Sequence, residues 1–454
     1  MSKATKINLF SLRTPQMRAF HLSWFAFFIC FFAWFAAAPL MPVIKGEFGL
    51  SKDQIANITI AAVAATIFGR LLIGPLCDRY GPRLVYTCLL GLGALPVMGI
   101  ALVHSYTGFL ILRLLIGIVG ASFVITQYHT SVMFAPNVVG TANAATAGWG
   151  NSGGGVTQSV MPMVFTLIVG FGVGEAFGWR LAMLVPGVAM LITAWLYWRY
   201  TQDCPLGNYK DLRAQGVELD SGKASGWQVF RTAASNYRVW MLFVTYGCCF
   251  GIELFVHGVA ASYYVDRYGL DLEHAGMAAG SFGLLALFAR AIGGIISDRV
   301  ARIKGLDARA LLLFVLMLGE GIGLLWFSTT DTATMAVVAM VSFGLCTHMA
   351  CGSTYALVPF IDRKSLGGVA GIVGAGGNVG AVAAGFVLKS TGSVQHTFAL
   401  LGGFVVIASL CAIAVRFSKE HKDSEEKLYQ EAVAQRASAA SAEPQPSAAL
   451  GGTG

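Results

Sequence analysis

Apolar residues run for twenty or more positions at a time along nearly the whole 454-residue chain, broken by short polar clusters. A run of that length crosses the roughly 30 Å hydrocarbon core of a bilayer as a helix rising about 1.5 Å per residue. The pattern predicts twelve spans, at 21–44, 55–77, 84–104, 109–131, 142–170, 179–200, 238–264, 274–297, 310–329, 334–359, 368–390 and 397–417. The expected fold class is therefore an all-α membrane protein with twelve transmembrane helices. The first span is too long for a signal-peptide apolar region, so it is not expected to be cleaved.

Polar positions inside these runs carry the chemistry. Arg70 and Arg290 each sit inside an apolar run and are each followed eight residues later by Asp-Arg, Asp78-Arg79 and Asp298-Arg299. Eight residues of helix place each guanidinium about 12 Å from the charged helix end, near the middle of the core. That is further than a snorkelling side chain comfortably reaches, and a charge at that depth costs roughly 2.5–3.5 kcal/mol even on the lenient insertion scale. No acid occurs in either arginine's own span. Two such arginines at matching positions suggest a buried anion site, in which a single monoanion would leave an excess of about one positive charge.

Other intramembrane polar residues have blander readings. Arg113 lies four residues into span 4, where snorkelling or structural pairing is expected. Glu253 falls seven residues after Tyr246, on nearly the same helix face, as a possible proton site or the partner of a buried arginine. Glu320 is read as structural, and His129, His257 and His348 as hydrogen-bonded core residues.

Composition and charge agree with the membrane reading. The chain is 56% hydrophobic and only 12% charged, about half the charge of an ordinary soluble domain. With the N-terminus inside, 23 of the 31 lysines and arginines fall in cytoplasmic segments, three are intramembrane, and five (Lys45, Lys52, Arg180, Arg267, Lys389) face outward. This asymmetry places both termini in the cytoplasm. The net charge of +8 is then a topology signal, spread over short loops where a nucleic-acid site would gather it on one face. The nine cysteines show no C-x-x-C pair and read as small core residues, so no metal site is expected.

The chain also repeats itself. Gly69–Arg83 aligns with Ala289–Arg302 at an offset of 220, and Ala147–Gly154 with Gly374–Ala381 at an offset of 227. The long polar stretch after Thr201 splits the spans six and six. The expected organisation is an N-terminal six-helix bundle (1–200), a cytoplasmic central loop (201–237), a C-terminal six-helix bundle (238–417) and a cytoplasmic tail (418–454) without packed structure from about Ala432. Both bundles begin on the same side, so the repeat is parallel, and paired residues would face each other near the midplane. Within the loop, Trp227–Arg238 reads equally as a short interfacial helix or a solvated linker. In the glycine-rich stretches, small-xxx-small spacing permits close helix packing. Asn151 and Asn378, amides in hydrocarbon, read equally as ligand contacts or interhelical hydrogen bonds.

Gly74-x-x-x-Asp78-Arg79-x-Gly81-x-Arg83 resembles the cytoplasmic loop motif of the major facilitator superfamily. Asp298-Arg299 resembles its weaker second copy, and Arg113-x-x-x-Gly117 the span-4 motif. The glycine-rich stretches that hold Gly148, Gly150, Gly153 and Gly154 around Asn151, and Gly374, Gly376, Gly377 and Gly380 around Asn378, resemble the paired signatures of the nitrate/nitrite porter family. His21–Trp24 and Phe35–Pro39 look closest to the plant-type high-affinity nitrate transporters and their bacterial relatives.

The resemblance implies a major facilitator fold, with nitrate clamped by Arg70 and Arg290 and contacted by Asn151, Asn378 and Tyr246. It also implies that the Phe123 ring stacks on the anion. A planar guanidinium offers two parallel N–H bonds to the oxygens of nitrate, which a lysine cannot. The expected function is secondary active transport of nitrate and nitrite through the inner or plasma membrane, by proton-coupled uptake or exchange. The alternatives are transport of another small anion such as formate or oxalate, or a membrane nitrate sensor. No enzyme activity, cofactor or nucleic-acid partner is expected. The expected partners are nitrate and nitrite, membrane lipids and, under proton-coupled uptake, protons, with the monomer as the expected functional unit. Gly150 and Gly377 are expected at the moving interface between the bundles, and the loop motifs at its gate.

Overall fold

The structure is a computed structural model and describes residues 3–135, 138–217, 226–362, 365–424 and 427. Twelve of its helices are long and apolar enough to cross a membrane. Spans 1 to 6 are Pro15–Phe35, Lys52–Tyr80, Pro82–Leu102, Tyr106–Met133, Val139–Gly170 and Glu175–Tyr200. Spans 7 to 12 are Tyr237–Tyr268, Leu272–Lys304, Asp307–Ser328, Ala333–Phe360, Leu366–Thr391 and Val394–Ala414. Among the described residues, the β-pairing outside helices amounts to two isolated bridges, Ala4–Phe134 and Cys204–Gly207.

Several helices begin before their apolar runs, because polar residues cap them. Thr14 accepts from the Met17 N–H, with Pro15 at the first helical position, so span 1 starts six residues earlier than its apolar run predicts. Ser51 and Gln54 form a reciprocal capping box that opens span 2. Span 1 also ends early, at Phe35, although the apolar run continues to residue 44. Pro39 and Pro42 lack the N–H a continuing helix needs, and the chain restarts as a short helix, Met41–Phe48, with proline in its first turn.

Two spans are interrupted near the expected anion site. Span 4 passes through a 3-10 turn at Gly117–Ala121, where Thr66 Oγ1 donates to the Gly117 carbonyl at 2.5 Å. Span 8 tightens at Leu285–Leu287 and departs from helical geometry at Phe288 (φ −129°, ψ −33°), two residues before Arg290. Such breaks inside a helix redirect the side chains that follow.

Small residues let the first and last six spans approach closely. Span 5 lies on span 8 so tightly that a Cβ on Gly155 would come within 2.6 Å of the Gly283 carbonyl carbon. Span 2 meets span 11, where a Cβ on Gly385 would lie 2.5 Å from Ile60 Cγ1. Twelve crossings return the chain to the face on which it began. On the opposite, far face, Lys45 Nζ lies 3.1 Å from Asp266 Oδ2, and Lys389 Nζ donates to Asn57 Oδ1 at 3.0 Å. Both contacts join the first six spans to the last six. Glu47, also on the far face, binds Arg180 at 2.7 Å and accepts from Trp179 Nε1 at 2.6 Å. Burial opposes its charge, but these donors outweigh burial and hold the carboxyl below its usual range.

On the termini face, Gly226–Ala234 is a helix. It packs on span 11, where a Cβ on Gly368 would lie 2.8 Å from the Val229 carbonyl oxygen. Beyond span 12, His421 stacks on Phe417 with centroids 5.3 Å apart. The tail from Ala432 lies outside the described residues.

Candidate anion site between spans 2, 7, 8 and 11

Span 2 carries Arg70 to span 11, where Nη1 donates to the Gly374 carbonyl at 2.9 Å. Its Nε and Nη2 are buried without a hydrogen-bond partner. The guanidinium carbon lies 5.4 Å from the Phe123 ring centroid and 5.5 Å from that of Phe250. Arg290, 8% exposed, also has its guanidinium carbon 5.4 Å from the Phe250 centroid. One ring therefore stands within cation–π reach of both arginines, and their guanidinium carbons are no further apart than the sum of those distances, about 11 Å.

The two arginines differ in their partners. Arg290 Nη2 donates to Glu253 Oε2, a fully buried carboxylate from span 7, and its Nε has no partner. His348 Nδ1 approaches the same carboxylate oxygen to 3.4 Å without forming a hydrogen bond, and Cys351 Sγ lies 3.9 Å from it. Glu253 Oε1 is unpartnered. Counting Glu253, the empty site carries about one positive charge, where the arginines alone imply two.

Aromatic rings close the wall. Tyr246 stacks on Phe250 with centroids 5.2 Å apart and meets Tyr355 edge-on at 5.0 Å. Tyr355 in turn lies 6.3 Å from Phe123. Asn151 and Asn378 are buried, and neither amide has a protein partner for its oxygen or its nitrogen. Helical spacing puts Asn378 on the same face as Gly374 and Gly385, the face turned to span 2. Asn151 shares a face with Gly148 and Gly155, turned to span 8. A buried amide without a partner is costly, and an anion with three acceptor oxygens would satisfy its donors.

The signature glycines divide into two groups. Gly148 faces the Ala286 carbonyl of span 8, Gly154 faces His257 of span 7, and Gly374 faces Tyr355 and Arg70, so these three look across to the other six spans or into the site. Gly150 and Gly153 pack instead on Phe27 and Phe28 of span 1, and Gly376, Gly377 and Gly380 on Phe243, Phe250 and Gly247 of span 7. Gly150 and Gly377 therefore serve packing within their own six spans, which corrects the expectation of a moving interface there. Glycines that stand between the first and the last six spans include Gly148 and Gly155 on span 5, Gly276, Gly280 and Gly283 on span 8, and Gly385 on span 11.

The loop motifs are held by residues outside them. Gly81 has φ +87°, and a Cβ there would collide with the carboxyl of Asp203. Asp203 accepts from the Arg83 N–H at 2.8 Å and the Tyr209 N–H at 2.9 Å, and Arg213 donates to the carbonyls of Asp78 and Arg79. The Arg83 side chain bonds the Trp198 carbonyl at 2.6 Å and lies over its ring. In the second copy, Asp298 pairs with Arg309 at 2.7 Å, while Arg299 is exposed. Gly74 has open space where a Cβ would stand, so sterics alone do not require glycine there.

Residue pattern alone missed Phe250, Tyr355 and Asp203. Phe250 lies one turn beyond Tyr246 and one before Glu253, so the helical face already carried that signal. Tyr355 and Asp203 are brought in by tertiary contacts without a local mark. His129 bonds Tyr197 and the Gln202 carbonyl, as expected of a core histidine. His257 departs from expectation, for both its ring nitrogens are buried without partners. Arg113 does not snorkel: it is 3% exposed and donates to the Trp34 carbonyl at 2.8 Å.

The sequence of residues 23–361 matches the Major Facilitator Superfamily. The high affinity nitrate transporter 2.5 of Arabidopsis thaliana is 40% identical over 415 residues, covering 91% of this chain and 82% of that protein. The nitrate/nitrite transporter NrtP of Picosynechococcus sp. is 30% identical, covering 81% of this chain and 84% of that protein. The fold matches the crystal structure of a D-xylose-proton symporter with a TM-score of 0.67 at 15% identity, over 89% of this chain and 98% of that one. Twelve membrane helices, this fold and these relatives describe an integral multi-pass membrane transporter, and the chain belongs to the nitrate/nitrite porter family of the Major Facilitator Superfamily.

Proposed function

We propose that the protein is a secondary active transporter of nitrate, and of nitrite, with both termini in the cytoplasm. Its moving parts are the bundles 1–200 and 238–417, joined by the loop 201–237, which rock about the Arg70–Arg290 pair in alternating access. The observation that carries this reading is the placement of two intramembrane guanidinium groups around one ring. Both have unpaired N–H groups, and two buried, unpartnered amides lie on the faces of spans 5 and 11 that turn to spans 8 and 2, the helices that carry the arginines. Such a cage fits a flat monoanion with three acceptor oxygens and no donors. The names of the relatives, nitrate and nitrite transporters, point to the same substrates.

The Glu253–Arg290 pair supports proton coupling. Nitrate and Glu253 compete for the same guanidinium, so a proton on Glu253 frees Arg290 for the anion. One proton and one nitrate then enter together while the charge of the site stays constant. The test is labelled-nitrate entry into nitrate- and nitrite-free proteoliposomes under an imposed inward proton gradient, with formate and oxalate as competitors. Uptake that resists the carboxylates is expected. Entry only after nitrite is loaded inside would replace symport with exchange, and formate uptake at the nitrate rate would replace the substrate. Nitrate binding without flux would make the protein a sensor.

A further inference from the structure

Between the arginine pair and the far face lies a cavity of about 360 Å³, walled by spans 1, 2, 4, 7 and 11. Its walls are largely apolar, with Phe35, Val63, Leu254, Phe255 and Ala381 among them. Lys45, Lys52, Asp266 and Arg267 stand at its rim. Lys45 pairs with Asp266 there, and Arg267 reaches Asp331 at 3.6 Å. Arg113, 97% buried, lines the wall.

The Arg113 side chain has one evident structural task. Its Nη1 donates to the carbonyl of Trp34, which lies at the end of span 1, where a helix leaves its last carbonyls unbonded. That accounts for one of the five N–H groups of a guanidinium. Nε is buried without a partner, and no carboxylate pairs with Arg113 among the described residues. A buried, charged group of this kind is costly unless something neutralises it.

The cavity is also in line with the arginine pair. Val63 is seven residues from Arg70 on span 2, and Ala381 is seven residues from Gly374 on span 11. Seven residues are nearly two full turns, so each pair shares a helix face and is separated by about 10 Å along the axis.

We propose that this cavity is a second anion site, in which Arg113 holds a weakly hydrated monoanion two helical turns on the far-face side of the Arg70–Arg290 pair. The apolar walls select for an ion that gives up its water cheaply, and the positive charge left at the rim by Lys52, once Lys45 and Arg267 are paired, raises its local concentration. Nitrate fits both requirements. That this site lies on the entry path rests on the orientation and substrate proposed above, whereas the binding itself needs neither transport nor coupling.

The test counts labelled nitrate bound per chain at equilibrium in the purified full-length protein, with the variants Arg70→Gln, Arg113→Gln and Arg113→Lys. Two nitrates are expected for the wild type, one each for Arg70→Gln and Arg113→Gln, and two for Arg113→Lys. Glutamine keeps a donor for the Trp34 carbonyl and loses the charge, so a loss in Arg113→Gln that lysine restores reports the charge and not the helix end. One nitrate per wild-type chain, abolished by Arg70→Gln, would overturn the second site and leave the transport reading standing. Two nitrates in both Arg113 variants would overturn it as well. Binding lost in Arg113→Gln but untouched by Arg70→Gln would support the second site and sink the clamp, and no binding by the wild type would sink both.

Discussion

Glu253 accepts a hydrogen bond from Arg290, while Arg70, the matching arginine of the first six spans, bonds only the backbone carbonyl of Gly374. The pseudo-symmetric pair is therefore electrostatically unequal. Arg290 is neutralised by a side chain that can itself take up a proton, and Arg70 keeps its full charge beside two phenylalanine rings. The asymmetry divides the labour. Arg70 supplies the permanent attraction for an anion, and Arg290 supplies an attraction available only when Glu253 releases it.

Arg70→Lys and Arg290→Lys should each lower nitrate transport by roughly 10- to 100-fold while the protein still inserts. Charge survives either change, but the second parallel N–H does not, and a hydrogen bond to a charged group is worth about 1.5–3 kcal/mol. Asn151→Ala and Asn378→Ala remove neutral donors of about half that strength, so their transport should fall by less. Initial rates of labelled-nitrate uptake, normalised to protein in the membrane, decide the order. Near wild-type flux in either lysine variant would remove bidentate clamping from the mechanism.

Glu253→Gln should separate coupling from transport. Glutamine cannot carry a proton through the cycle and cannot neutralise Arg290 as a carboxylate does. Accumulation driven by an imposed proton gradient should vanish, whereas exchange of external nitrate for internal nitrite should continue at a measurable rate. If gradient-driven accumulation survives the substitution, the proton travels elsewhere, and Glu253 is only a counter-charge for Arg290.

Much of this arrangement was legible in the sequence because a bilayer leaves little freedom. An arginine in an apolar run must be explained, and the repeat offsets already paired span 2 with span 8 and span 5 with span 11. Glu253 was visible on the Tyr246 face, although helical spacing could not choose between a free acid and the partner of Arg290. The misses differ in cause. Tyr355 and Asp203 act through neighbours distant in sequence, Phe250 lies on the Tyr246 face that already carried its signal, and the early end of span 1 depends on Pro39 and Pro42 inside a run that hydropathy reads as continuous. Likewise, the glycine stretches announce close packing but not the partner, and Gly150 and Gly377 meet Phe27 and Phe250 of their own six spans.

That division of the glycines predicts two phenotypes. Gly150→Leu and Gly377→Leu push into Phe27 and Phe250 inside a six-span bundle, so they should lower thermal stability and folded yield, by about 1–3 kcal/mol. Gly148→Ala and Gly280→Ala place a methyl group between spans 5 and 8, against the Ala286 carbonyl oxygen at 3.0 Å and the rotatable Ser159 hydroxyl, where the two bundles would have to part and meet again. These should leave the melting temperature closer to wild type and reduce turnover more than nitrate binding. Wild-type turnover in both alanine variants would mean that spans 5 and 8 do not move against each other at this level.

Asp203 should give the loop between spans 6 and 7 a pH dependence of definite sign. Its carboxylate is 4% exposed and receives the Arg83 and Tyr209 N–H groups. Burial raises its pKa above the ordinary 3.8, and the two N–H bonds offset this only in part. A folded state whose aspartate pKa is raised binds the proton more tightly than the unfolded chain does. This contribution to stability is therefore fully present below the ordinary value and is lost as the pH rises through the raised one. Asp203→Asn has no such proton, and its single amide oxygen leaves one of the two N–H groups without an acceptor, at a cost of about 1–3 kcal/mol. The variant should accordingly melt below the wild type at neutral pH, and the gap should widen as the pH falls toward about 4. Thermal unfolding of both proteins in the same detergent across that range provides the measurement. A gap that narrows on acidification would show that the two N–H bonds, and not burial, govern Asp203.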